Sequence, residues 1–151
     1  MRLYKEDLFS DPKGLIAHGV NAQGVMGSGV AKVIRDRFPK AYEDYREYWE
    51  ASKHNKPSLS GKCQFVTISD ELTIANCFTQ NYYGRTGGPY ADFQSIYSSL
   101  SHAAEYAKFN NLKFKMPMIG CGLGGLKWSD VSVIIRDIET NIGVTAHVFY
   151  L

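Results

Sequence analysis

The sequence predicts an α/β fold in which a central mixed sheet is covered by helices on both faces. Three observations carry this. Short apolar, β-rich runs alternate with amphipathic helical stretches along all 151 residues. Two of the runs lead through a glycine-rich loop into a helix. A further pair of runs is separated only by Ser69-Asp70-Glu71, which reads as a hairpin.

Taken in order, Leu3-Tyr4 is followed by Gly14 to Val20, a mostly apolar run ending in a polar turn and read as a central strand. Asn21 to Gly29 is a glycine loop. Val30 to Phe38 is helical, with Val30, Val33 and Ile34 on one side and Lys32, Arg35 and Asp36 on the other. Pro39 suits the first turn of a second helix, in which Tyr42, Tyr45 and Trp49 form a stripe assigned to the core. Lys53 to Ser60 is a polar connection. Lys62 to Ile68 and Leu72 to Phe78 make the hairpin, and Thr79 to Ala91 is a long loop rich in Gly, Tyr and Pro.

Asp92 is a plausible N-cap for a helix with the stripe Ile96, Leu100, Ala103, Ala104 and Ala107. Leu112 to Ile119 is a strand and Gly120 to Gly125 a second glycine loop. A helix capped by Ser129 then turns Val131, Ile134, Ile135 and Ile138 inward, and Val144 to Leu151 closes the sheet. No repeat, low-complexity segment or linker divides the chain, so one domain over 1–151 is expected.

Composition excludes several classes. Apolar residues make up 44% and charged residues 21%, which argues against wholesale disorder. Lys plus Arg is 17 and Asp plus Glu 15, a formal +2, so direct nucleic-acid binding is not indicated. No apolar run is long enough for a membrane span, and the opening MRLYKEDLF has no apolar signal-peptide core. Cys63, Cys77 and Cys121 are odd in number and in no CxxC or Cys/His pattern. That spacing argues against a disulfide framework and a zinc site, and for a reducing, cytoplasmic compartment with all three as buried small hydrophobes.

The glycine loops carry the functional signal. Asn21-Ala22-Gln23-Gly24-Val25-Met26-Gly27-Ser28-Gly29 and Gly120-Cys121-Gly122-Leu123-Gly124-Gly125 share one strand-loop-helix setting. Glycines there let backbone N–H groups converge on an anion at a helix N-terminus, so a diphosphate held between the two loops is the inference. Tight turns alone are the alternative. Standard phosphate motifs fail: Val30-Ala31 stands where a Walker A loop needs Lys-Ser/Thr, and Lys32 breaks the GxGxxG pattern. Lys127 stands where a cysteine phosphatase built on Cys121 needs Arg. There is no DxD pair and no HExxH, and no metal or cofactor is expected.

Three stretches resemble the macro domain family. They are Glu6-Asp7-Leu8-Phe9, the run from Ala17-His18-Gly19-Val20-Asn21 through Gly29-Val30-Ala31, and Met116 to Trp128. Within it the chain is similar to the branch of yeast-type ADP-ribose 1''-phosphate phosphatases, terminal ADP-ribose-protein glycohydrolases and DNA ADP-ribosyl glycohydrolase antitoxins. The resemblance covers essentially the whole chain. It implies a three-layer α/β/α fold with an ADP-ribose cleft at the strand ends. It also implies that Asp7 bonds the adenine amino group, Leu8 offers backbone contacts and Asn21 holds the distal ribose. Gly27, Ser28, Gly29 and Val30 would wrap the diphosphate together with Gly120, Cys121, Gly122, Leu123 and Gly124, and Phe149 would lie against adenine. Residue by residue, the alternatives are a turn cap for Asp7, a self-satisfied turn side chain for Asn21 and core packing for Phe149, while Trp128 is read as packing under the second loop rather than as a ligand contact.

Two glycohydrolase groups of this branch use a lysine after the second hairpin strand, where this chain has Gln80. An amide cannot form a Schiff base with the ribose C1''. The acid that the terminal glycohydrolases carry in the second loop is replaced by Gly124. His18 matches a histidine proposed for the yeast-type phosphatase and could act as acid/base or orient a water, the alternative being a buried structural histidine. The expected activity is therefore metal-free hydrolysis of ADP-ribose 1''-phosphate by a monomer, with His18 and Asn21 as catalytic candidates. A de-ADP-ribosylating glycohydrolase and a non-catalytic ADP-ribose reader remain rivals. The loop Tyr82 to Tyr90 reads as a candidate lid, with Arg85 either reaching a terminal phosphate or solvated. His54, His102 and His147 are read as structural or solvated.

Overall fold

The computed structural model describes residues 1–53, 58–84 and 88–151. Ten elements follow in chain order. They are β1 (Arg2–Lys5), β2 (Gly14–Asn21), α1 (Gly29–Arg37), α2 (Pro39–Ser52), β3 (Cys63–Thr67), β4 (Leu72–Gln80), α3 (Phe93–Phe109), β5 (Phe114–Pro117), α4 (Trp128–Ile142) and β6 (Ala146–Tyr150). The sheet order is β1-β6-β5-β2-β4-β3. Only the β3–β4 hairpin is antiparallel, so the predicted mixed sheet is observed.

Both faces of the sheet are covered, which is why β2 and β4 read as unbroken apolar runs. Side chains still alternate with period 2. Leu15, Ala17, Ala75, Cys77, Met116 and Val148 pack with the α3 and α4 stripes, Leu100 and Ile135 among them. Ile16 and Ile74 point the other way, to Ile34 of α1 and Ala41 of α2. The same alternation sends His18 of β2 and Asn76 of β4 to the α1/α2 side, where register makes them direct neighbours.

Several boundaries differ from expectation. Arg2–Lys5 is a sixth strand, made by parallel pairing with β6 rather than by local propensity. Thr79 and Gln80 extend β4, because a bulge between Val20 and Asn21 brings Asn21 opposite Gln80. β5 stops at Pro117, where Ile119 N bonds back to Pro117 O. Ser129 does not cap α4. Asp130 N and Val131 N already bond to Lys127 O, so the N-cap is Lys127 and Ser129 lies in the first turn. The Pro39 start and the Asp92 cap are as predicted, with Asp92 accepting from Gln94 N and Ser95 N. Cys77 is buried, but Cys63 and Cys121 are only partly so. Of the apolar side expected for α1, only Ile34 is fully buried. No helix of the described residues is long and apolar enough to cross a membrane.

Candidate functional site

A cleft of about 1230 Å³ opens beyond the carboxyl ends of β2, β5 and β6, where ligands sit in open α/β sheets. Every site residue named from the sequence lines it: Asp7, Leu8, His18, Asn21, Gly27 to Val30, Gly120 to Gly124, and Phe149.

The first loop leaves β2 at Asn21 and is anchored from α2. Tyr45 Oη reaches Asn21 O at 2.7 Å and Asn21 Oδ1 at 2.9 Å, and accepts from Val25 N at 3.0 Å. Trp49 Nε1 donates to Ala22 O, and Arg46 Nη1 to Gly24 O. The helix stripe assigned to the core is thus also the loop's scaffold, a role the residue spacing did not show. Gly24 has φ +78°, and a Cβ there would lie 2.8 Å from the Trp49 ring. Asn21 is largely self-satisfied within the turn, with Oδ1 accepting from Gln23 N at 3.0 Å and Nδ2 donating to Val25 O at 2.8 Å. One Nδ2 hydrogen is left for a ligand.

At the loop's end Ser28 is the N-cap of α1 but makes no side-chain cap bond, so it does not satisfy the first N–H groups of that helix. Across the cleft, Gly122, Leu123 and Gly124 donate no main-chain N–H hydrogen bond among the described residues. Gly124 is pinned through its carbonyl, which accepts from Tyr90 N and Ala91 N. A Cβ on Gly124 would lie 2.5 Å from Gly120 O and 3.0 Å from Ala91 Cβ, so the acid found there in the terminal glycohydrolases does not fit this backbone. Two sets of N–H groups therefore line one cleft, which suits a diphosphate.

At the opposite end Asp7 is exposed and its Oδ1 accepts from Phe9 N at 2.9 Å, so the turn-cap role is real and leaves Oδ2 open among the described residues. Leu8 is buried beside it. Phe149 is only 8% exposed and stacks on Tyr4 with centroids 4.8 Å apart. Lys115 Nζ lies 5.2 Å from the Phe149 ring centre. Phe149 is both core and cleft wall. Tyr150, more than a third exposed, and Arg37, whose Nη1 donates to Phe9 O, also line the cleft and were missed. The Phe-Tyr pair closing the last strand was the available signal for Tyr150.

His18 is 1% exposed at the cleft wall. Its Nε2 lies 2.6 Å from Asn76 Oδ1, and its Nδ1 is a buried atom with no partner among the described residues. Burial pushes its pKa down from 6.5 to about 4, against a smaller upward pull from the Asn76 hydrogen bond. Burial thus favours a neutral imidazole at neutral pH, with an acceptor rather than a transferable proton in the resting state. Asn76 was also missed. An amide inside the apolar run Leu72 to Phe78 was the signal that could have found it.

Gln80, Tyr83 and Gly84 form the rim, where Tyr83 N donates to Gln23 Oε1 at 3.1 Å and ties the two loops together. The lid candidates Arg85, Thr86 and Gly87 lie outside the described residues, as does His54. His147 is structural, its Nδ1 in a 2.8 Å hydrogen bond with Tyr4 Oη. Trp128 packs partly buried against the core, as expected. Among the described residues no group of three or more His, Cys, Asp or Glu is placed to hold a metal ion.

The macro domain family model matches residues 17–135. The chain belongs to the macro domain family. Similar proteins and structures match over most of this chain. An ADP-ribose 1''-phosphate phosphatase of Candida albicans is 30% identical over 148 residues, covering 89% of this chain and 91% of the relative. A macrodomain protein of Streptomyces coelicolor superposes with a TM-score of 0.81 at 25% identity, over 99% of this chain and 98% of the other. A Thermosipho africanus DarTG structure, solved in complex with ADP-ribose, matches with a TM-score of 0.77 at 23% identity. It covers 97% of this macro domain and 40% of the larger chain.

Proposed function

We propose that this macro domain, acting as a single domain and a monomer, hydrolyses ADP-ribose 1''-phosphate to ADP-ribose and phosphate. The observation that carries the reading is the facing of two N–H-lined glycine loops across a cleft that His18 also lines, with the buried Nδ1 of His18 left without a partner among the described residues. The phosphatase relative from Candida albicans supports the same substrate, and the ADP-ribose complex of the Thermosipho africanus protein supports the nucleotide.

In this reading Asp7 takes the adenine amino group and Leu8 its backbone contacts. The N–H groups of Gly27 to Val30 and of Gly122 to Gly124 hold the diphosphate within the loop Gly120 to Gly124, the remaining Nδ2 hydrogen of Asn21 holds the distal ribose, and Phe149 with Tyr150 walls the base. A water attacks phosphorus and the bond to O1'' breaks; one water hydrogen stays with the phosphate and the other ends on O1''. His18, neutral and buried, accepts a hydrogen bond from that water and orients it. Backbone N–H groups stabilise charge on the phosphoryl oxygens without reorganising, which is the larger contribution expected of such a site.

Gln80 and Gly124 weigh against glycohydrolase chemistry, one for want of an amine and the other because a side chain does not fit. A reducing compartment such as the cytoplasm suits a chain whose Cys63 and Cys77 thiols lie 3.5 Å apart unbridged. The test is to incubate the purified protein with ADP-ribose 1''-phosphate, and separately with an ADP-ribosylated protein, with and without EDTA. Phosphate from the first and no ADP-ribose from the second supports the reading; the reverse pattern, or binding without either product, rejects it.

A further inference from the structure

We propose that Asn76, itself fixed by Gln64, is a positioning residue that commits His18, which lines the cleft, to its Nε2–H tautomer and so leaves Nδ1 with a bare lone pair. Two carbonyls of α2, Asp44 O and Ala41 O, can only accept. Asp44 O takes a hydrogen bond from Gln64 Nε2 at 2.9 Å, which fixes the Gln64 amide with Oε1 on its other side. That Oε1 accepts from Asn76 Nδ2 at 3.0 Å. Ala41 O accepts from the same Nδ2 at 3.3 Å, so the Asn76 amide is fixed as well. Only Asn76 Oδ1 is left to face His18, and an acceptor 2.6 Å from Nε2 requires the ring to carry its proton there. Nδ1 is then unprotonated.

The chain is built from the fold. Gln64 and Asn76 are cross-strand partners in the β3–β4 hairpin, and Asn76 and His18 are neighbours in the parallel β4–β2 pair. All three project to the α2 side, so one row across the sheet transmits the orientation from helix carbonyls to the imidazole. Asn76 is fully buried and His18 nearly so, and burial with the Asn76 bond are the two influences on the ring. A buried acceptor without a partner among the described residues is costly, which marks Nδ1 as an atom kept for a hydrogen-bond donor. With the tautomer set this way, the group His18 engages is a hydrogen-bond donor, the attacking water or a ribose hydroxyl, and not an anionic phosphate oxygen.

The role in turnover rests on the phosphatase reading; the tautomer does not. The first measurement is ¹⁵N NMR of the histidine rings in the wild-type protein, with the His18 signals assigned by their loss in His18→Gln. The expected result is an unprotonated Nδ1 and a protonated Nε2 at neutral pH. A protonated Nδ1 overturns the proposal. The second is kinetic. Asn76→Leu is expected to lose on the order of 10²-fold in kcat with little change in KM. Asn76→Asp keeps an acceptor for Nε2–H and adds a negative charge, so it is expected to recover activity with the acid limb of the kcat profile moved up by about one pH unit or more. Gln64→Leu, which leaves His18 and Asn76 intact and serves if the buried carboxylate does not fold, is expected to lower kcat by about tenfold or less and to broaden the His18 ring signals. Unchanged kcat and acid limb in these variants overturns the positioning role. A wild-type protein with a bare Nδ1 and no phosphatase activity rejects the phosphatase reading and upholds the tautomer.

Discussion

Tyr45 Oη holds Asn21 twice, at 2.7 Å from its carbonyl and 2.9 Å from its side-chain oxygen. One hydroxyl of a fully buried helix residue thereby sets both the end of β2 and the first glycine loop.

Tyr45→Phe keeps the ring that packs on Phe78 but removes the hydroxyl that donates to Asn21 O and leaves Val25 N with only a 3.5 Å bond to Asn21 Oδ1. Losing the hydrogen bond to a buried group of this kind costs about 1–3 kcal/mol. The expected outcome is a lower unfolding midpoint in urea together with weaker ADP-ribose binding by calorimetry. A variant that loses stability but binds as tightly as wild type would remove the loop from the account of affinity.

Gly124 makes a sharper test, because its position is set by contacts on both sides. Gly124→Ala places a Cβ against Gly120 O, and relieving such an overlap costs about 1–3 kcal/mol. Binding of ADP-ribose should weaken by about tenfold or more, since the loop must shift where it is meant to hold a diphosphate. Gly124→Asp combined with Gln80→Lys should not yield a working glycohydrolase, as measured by ADP-ribose release from a modified protein.

Asp7 should govern the base. Its open carboxylate oxygen can accept from an exocyclic amino group, and a hydrogen bond to a charged group contributes about 1.5–3 kcal/mol. Asp7→Ala should weaken ADP-ribose binding about tenfold and narrow the preference for adenine over hypoxanthine in competition calorimetry. Equal preference in wild type and variant would place the base elsewhere.

The pH dependence of stability has a fixed sign. His18 binds its proton at about 4 in the folded protein against 6.5 when unfolded. The unfolded chain therefore holds more protons between those values, and stability must fall as pH drops through that window. The stabilisation is complete above about pH 6.5 and its loss by pH 4 is at most ~3 kcal/mol for this one group. His18→Gln should flatten the decline in thermal midpoint across that window; an unchanged slope would show that another group carries it.

Much of this was legible in the residues. The apolar runs of β2 and β4, the Ser69-Asp70-Glu71 turn, Pro39 and the Asp92 cap are local signals, and the structure follows them. The strand Arg2–Lys5 was not legible, because its pairing partner Ala146–Tyr150 lies at the other end of the chain. Ser129 misled because a good capping residue was outcompeted by carbonyl bonding two residues earlier, at Lys127. The cleft residues could be named because glycine loops leave a strong mark. The scaffold behind them, Tyr45 and Trp49 under the first loop and Gln64 and Asn76 behind His18, acts through contacts between distant segments that no local pattern encodes.

The most direct test of the central claim is hydrolysis of ADP-ribose 1''-phosphate in ¹⁸O-labelled water with EDTA present, reading the label in the released phosphate by mass spectrometry. The account predicts one labelled oxygen in every phosphate released, from attack at phosphorus, and turnover reduced on the order of 10²-fold in His18→Ala. Unlabelled phosphate, from cleavage at C1'', or no phosphate from protein that binds the nucleotide, would contradict it.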